Sequence, residues 1–168
     1  MDPTALVQSP AIVQLALLVR DLGFLVYGGG ICTFALMAQL SARVGGLPTA
    51  HVLRTYRGFG PGLGLGLGAA VFGALTAHFG MAGAFSWGLD AATGGAAGFA
   101  AWLVFFALWM SNIQLEVWTL EPLRKLDPDG TGVASDAAAL DRATSAVVRH
   151  LSVQAAMAAL IVVLVRLS

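Results

Sequence analysis

Glu116 and His150 are the residues of this chain whose chemistry most needs explaining, because each is ionisable and each falls inside or at the edge of a long apolar stretch. Such groups are costly within a membrane span and usually face the interior of a helix bundle or a wet cavity. Glu116 closes a stripe of residues three and four apart, Trp102, Phe105, Trp109, Asn112 and Glu116, which share one face of a helix. The stripe is aromatic toward one end and polar toward the other, so Trp102, Phe105 and Trp109 form a candidate pocket for a flat apolar ligand. Asn112, Glu116 and His150 are then the candidate catalytic groups. The plainer reading makes the stripe a core-facing seam, with Glu116 paired to Arg149 or His150 to offset its desolvation. Proton shuttling is the sharper role for His150, whose side chain type changes charge near neutral pH.

Other clusters carry less. His78 and His150 fall at opposite ends of their spans, too far apart to share a metal or one haem iron. Asp127, Asp129, Thr131, Gly132 and Ser135 follow the spacing of a calcium loop, yet its twelfth position, normally a bidentate Glu, is Ala138. Asp-Pro-Asp-Gly also reads as a turn, with Ser135 or Asp136 capping the helix that follows. The lone Cys32 lies in the first span and reads as a small buried hydrophobe. The glycines at 58–68 are preceded by no strand and followed by no Lys-Ser or Lys-Thr, which excludes a phosphate loop. No cofactor is expected, and no metal beyond the weak calcium pattern.

The elements that must position these residues are four apolar stretches, 22–40, 59–79, 96–118 and 147–165. Each is close to the ~20 residues that cross a bilayer as a helix at ~1.5 Å per residue. Composition agrees: 58% of residues are hydrophobic, 11% are charged, and mean hydropathy is +0.81. The expected fold is an all-α integral membrane four-helix bundle in one domain, residues 1–168, with helices at about 10–42, 59–80, 96–121 and 142–166. The first includes an outer extension, residues 10–21, preferred to a signal peptide because no basic start precedes the apolar run. Arg20 and Asp21, being adjacent, are expected to pair with other helices or headgroups rather than with each other.

Basic residues set the orientation. Arg43, Arg54 and Arg57 lie in or near the first loop, and Arg124, Lys125, Arg142 and Arg149 in or near the third, against Arg20 and Arg166 on the opposite side. Loops one and three are therefore expected in the cytoplasm and both termini outside, in a bacterial-type inner membrane. Zero formal net charge and the absence of a basic tract exclude a nucleic-acid partner.

The second span opens GFGPGLGLGLG. At ~100° per residue, Gly60, Gly64 and Gly68 share one face and Gly58, Gly62 and Gly66 lie nearly opposite, two ridges that each admit a close neighbour. The span is expected between two helices, and a ridge left unused within the monomer would recruit a second copy or another membrane subunit. Self-association, a partner subunit and the lipid bilayer are the expected partners.

The order of elements resembles the anthrone-oxygenase-like family of small four-helix membrane proteins, and a second uncharacterised four-helix family as well. The resemblance rests on GGGICTFALMAQL, LPTAHVLRTYRGFGP, LEPLRKLDPDG and RHLSVQAA. It implies oxidation of a planar phenolic substrate without a known prosthetic group, with Trp109, Asn112, Glu116 and His150 as the residues to test. The glycine pattern favours instead a packing or binding protein, an accessory subunit or homo-oligomer; a pigment- or lipophile-binding subunit is a third reading. Whether the chain is an enzyme stays open at this stage.

Overall fold

The computed structural model describes residues 8–44, 49–82, 95–129 and 135–167. Helix α1 runs Pro10–Val44, α2 Thr49–Ala82 and α3 Gly95–Gln114. A π-helical turn, Leu115–Thr119, joins α3 to the short α4, Leu120–Leu126, and α5 runs Ala137–Leu167. There is no strand among the described residues. Four helical stretches, Pro10–Ser41, Arg54–Met81, Gly95–Leu126 and Ala137–Leu167, are long and apolar enough to cross a membrane. Large side chains such as Leu25, Leu65, Phe72 and Trp118 stand outward and exposed, an arrangement that suits lipid rather than water.

The helix ends follow from local chemistry. Ser9 Oγ accepts from the Ile12 N–H at the start of α1, and Asp136 Oδ1 accepts from the Ala139 N–H, 2.8 Å, at the start of α5. Gly95 opens α3 with φ of 66°, a backbone conformation that residues with a Cβ rarely adopt. Helix α2 begins ten residues before the apolar run and continues through Pro61, whose ring nitrogen offers no N–H to the Arg57 carbonyl.

The π turn has a visible cause in Pro122. A proline ring crowds the carbonyl four residues earlier, here Trp118, and a wider turn relieves that crowding. A side-chain donor reaches the loosened ladder: Arg124 Nη1 donates to the Glu116 carbonyl at 3.4 Å.

Helices α1 and α2 pack along their length, α5 packs on α1 and on α3, and the backbones of α2 and α3 stay apart. The bundle is thus an arc, α2–α1–α5–α3, whose closing seam is bridged by side chains. Along its spine lies a core of Tyr27, Ile31, Tyr56, Leu67, Leu108, Leu115, Val147 and Leu151.

Glycine works differently here from the two-ridge expectation. The closest α1–α2 approach uses Gly66, against Gly23 and Val26, and Gly73, which sequence inspection passed over. A methyl on Gly73 would stand 2.5 Å from both the Ala16 carbonyl oxygen and the Arg20 nitrogen. A methyl on Gly23 would collide with the Gly66 carbonyl, and one on Gly30 with the Leu63 side chain. By contrast Gly58, Gly62 and Gly68 face open space, and Gly60 and Gly64 face polar side chains of the α3 side.

The pairing expected at Arg20 and Asp21 is also different. Arg20 Nε donates to Asp21 Oδ1 at 2.8 Å, with both side chains exposed. The flexible Arg stem bends across the ~100° between neighbours to make this contact.

Candidate functional site

Two polar groups of side chains meet α3 near the π turn, on two of its sides. The first faces α1 and α2. The Tyr27 hydroxyl of α1 donates to Asn112 Oδ1 at 3.3 Å, and Tyr27 is fully buried. Asn112 Nδ2 lies 3.8 Å from the position a Cβ would take on Gly64, and Glu116 Oε1 lies 3.3 Å from that position on Gly60. Gly60 and Gly64 therefore leave the volume into which Asn112 and Glu116 project. The other Glu116 oxygen accepts from Arg124 Nη2 at 2.9 Å. This pair spans the π turn, so the expected contact of Glu116 with Arg149 or His150 is replaced by one from its own chain segment.

Tyr56 completes this group. It is 1% exposed, stands beside Gly60 and meets Phe34 edge-on at 5.3 Å. Its hydroxyl has no hydrogen-bond partner among the described residues. A buried hydroxyl left in that state costs about 1–3 kcal/mol, so it is a destabilising feature unless something binds there.

The second group faces α5. His150 Nε2 lies 3.0 Å from the Ser111 carbonyl and 2.8 Å from Ser111 Oγ, and Nδ1 lies 3.0 Å from Thr119 Oγ1. The carbonyl only accepts, so the proton belongs on Nε2 and the Thr119 hydroxyl donates to Nδ1. Gln154, one turn along α5, donates from Nε2 to Ser111 Oγ at 3.4 Å, while its Oε1 is buried without a partner among the described residues. His150 thus straps α5 across both ends of the widened turn. The arrangement satisfies the imidazole on both sides and gives it a structural task.

The aromatic stripe keeps its order. Phe105 is buried and meets Phe24 of α1 at 6.3 Å, and Trp102 meets His78 of α2 edge-on at 5.8 Å. Trp109 shares this side by helical spacing but is 36% exposed, with its ring against Phe106.

Of the calcium pattern, Asp127, Asp129 and Ser135 fall among the described residues. Asp127 is buried as the C-cap of α4, its N–H bonded to the Leu123 carbonyl and its own carbonyl accepting from Arg57 Nη1 at 2.9 Å. Asp129 is exposed, and Thr131 and Gly132 lie outside the described residues. Among the described residues, no three His, Cys, Asp or Glu side chains are grouped to hold a metal ion.

Tyr27, Tyr56, Ser111, Thr119, Arg124 and Gln154 were not singled out from sequence as site residues. Signals existed: the chain's two tyrosines both fall in apolar surroundings, Gln154 follows His150 at i+4, and Pro122 marks a broken helix ladder. No family model, curated protein or solved structure matches the chain. What it does must therefore follow from its own geometry.

Proposed function

We propose that this multi-pass membrane protein binds a lipophilic molecule whose polar head enters the seam formed by Tyr27, Tyr56, Asn112 and Glu116. One observation carries the reading: the Tyr56 hydroxyl is buried, without a partner among the described residues, beside a carboxylate held in place by Arg124. A head that both donates and accepts, such as a phenol, would take the Tyr56 proton in a hydrogen bond and offer its own to Glu116 Oε1. The planar phenolic substrate implied by the family resemblance meets that requirement. The basic residues of the first and third loops support an orientation that puts the seam in the cytoplasmic half of a bacterial inner membrane, with both termini outside.

Native mass spectrometry of gently solubilised protein, with an absorption spectrum, tests the reading. The expected result is a co-purifying small molecule, or uptake of a long-chain phenol such as 4-dodecylphenol, that is lost in Tyr56→Phe. Wild-type protein that takes up no such molecule would overturn it. A second reading, a homo-oligomer or accessory subunit, is favoured by the open glycine positions Gly58 and Gly62 on the outer side of α2. The same spectra report stoichiometry, and a strictly monomeric chain in mild detergent would remove self-association.

A further inference from the structure

The seam has two polar levels, and both helices that border it set the same distance between them. On α3 the levels are Asn112 and Glu116, four residues apart; on α2 they are Gly64 and Gly60, also four apart. Asn112 Nδ2 lies 3.8 Å from the place of a Cβ on Gly64. Glu116 Oε1 lies 3.3 Å from the corresponding place on Gly60, and Tyr56 Cζ 3.6 Å from it. Four residues at ~1.5 Å each separate the levels by about 6 Å along either helix.

The bonds made behind the seam decide what faces it. Tyr27 engages Asn112 through Oδ1, so the atom turned to Gly64 is Nδ2, a donor. Arg124 engages Glu116 through Oε2 and the backbone carbonyl, so the atom turned to Gly60 is Oε1, an acceptor. Beside it is Tyr56, 1% exposed, its hydroxyl without a partner among the described residues. A ligand that serves all three groups needs one hydroxyl at the Gly60 level, accepting from Tyr56 and donating to Glu116. It also needs a second oxygen about one helical turn away, ~6 Å, to accept from Asn112. An aromatic ring with oxygens at opposite corners has that span.

We infer that the ligand head is a 1,4-dihydroxybenzene, a quinol, held in preference both to a monophenol and to the oxidised quinone. The monophenol lacks an oxygen for one of the two levels. The quinone has both oxygens but no proton, so its carbonyl would meet the Glu116 carboxylate acceptor against acceptor. This rests on the binding reading above and adds the second oxygen and the reduced state of the head.

The test is anaerobic titration of 2-dodecylhydroquinone, 2-dodecylphenol and 2-dodecyl-1,4-benzoquinone into the protein in lipid nanodiscs, with empty nanodiscs subtracted for partition into lipid. Wild type should hold the hydroquinone about tenfold more tightly than either of the others, the effect of one hydrogen bond. In Gly64→Ala a methyl would stand beside Asn112 Nδ2 at ordinary contact distance, which keeps the fold and displaces the second oxygen. Asn112→Asp keeps an acceptor for Tyr27 and removes the donor. In both variants the hydroquinone should lose its advantage over the phenol, a ratio within one protein that a general loss of affinity does not alter. Equal wild-type affinity for hydroquinone and phenol, or an advantage that survives both substitutions, overturns the second contact and leaves the seam standing. Benzoquinone bound as tightly as hydroquinone overturns the choice of the reduced head. Saturable binding of none of the three removes the seam as well.

Discussion

Gly73 and Gly64 are the same residue on the same helix, nine positions apart, and they do opposite things. At Gly73 the missing side chain lets the α1 backbone come so close that a single methyl would strike it. At Gly64 the missing side chain leaves room that, among the described residues, only Asn112 approaches within 4 Å. In lipid no hydrophobic gain draws helices together, so close approach has to be won through dispersion, as around Gly23, Gly66 and Gly73. Where glycine is present and close approach is absent, packing does not account for it. One side of α2 is therefore held by backbone contact with α1, and the side toward Asn112 and Glu116 is a polar seam.

The contrast can be broken at either end. Gly73→Leu carries the largest expected effect: its neighbours are backbone atoms that cannot rotate away, so a loss of at least about 3 kcal/mol, or no folded protein, is expected in thermal unfolding followed by circular dichroism. Wild-type stability in that variant would show that the α1–α2 crossing is looser than described. His150→Ala removes the strap across the π turn and strands the Thr119 and Ser111 groups, which should cost about 1–3 kcal/mol in the same measurement. No change would mean that the turn stands without it. The smallest effect has the opposite sign. Tyr56→Phe deletes an unpartnered buried hydroxyl and should raise the stability of ligand-free protein by about 1 kcal/mol. A fall instead would show that the hydroxyl is satisfied and that the seam does not await a ligand.

The two regions also differ in how far the sequence discloses them. Length and hydropathy are enough for four spanning helices, because the bilayer imposes both. Which glycine touches what is another matter. A ridge such as Gly60, Gly64 and Gly68 has the same spacing whether a helix lies against it or not, and Gly73 carries its contact without belonging to any obvious repeat. The stripe from Trp102 to Glu116 was legible from its period. Its partner was not, because the π turn brings Arg124 back to Glu116, and an α-helical count gives no warning of that. Tyr27 and Asn112 are separated by 85 positions, and only the folded chain brings them together.

The widened turn at Leu115–Thr119 sets the phase of everything beyond it. Remove one residue there and the rest of the segment, Leu120–Leu126, would rotate by ~100° and advance by ~1.5 Å, with no change in composition or hydropathy. Arg124 would swing away from Glu116, and Asp127 would carry its carbonyl away from Arg57. The seam and the cap at the membrane end are thus geared to one another, and a change of length by a single residue at this point is a larger alteration than most substitutions in the core.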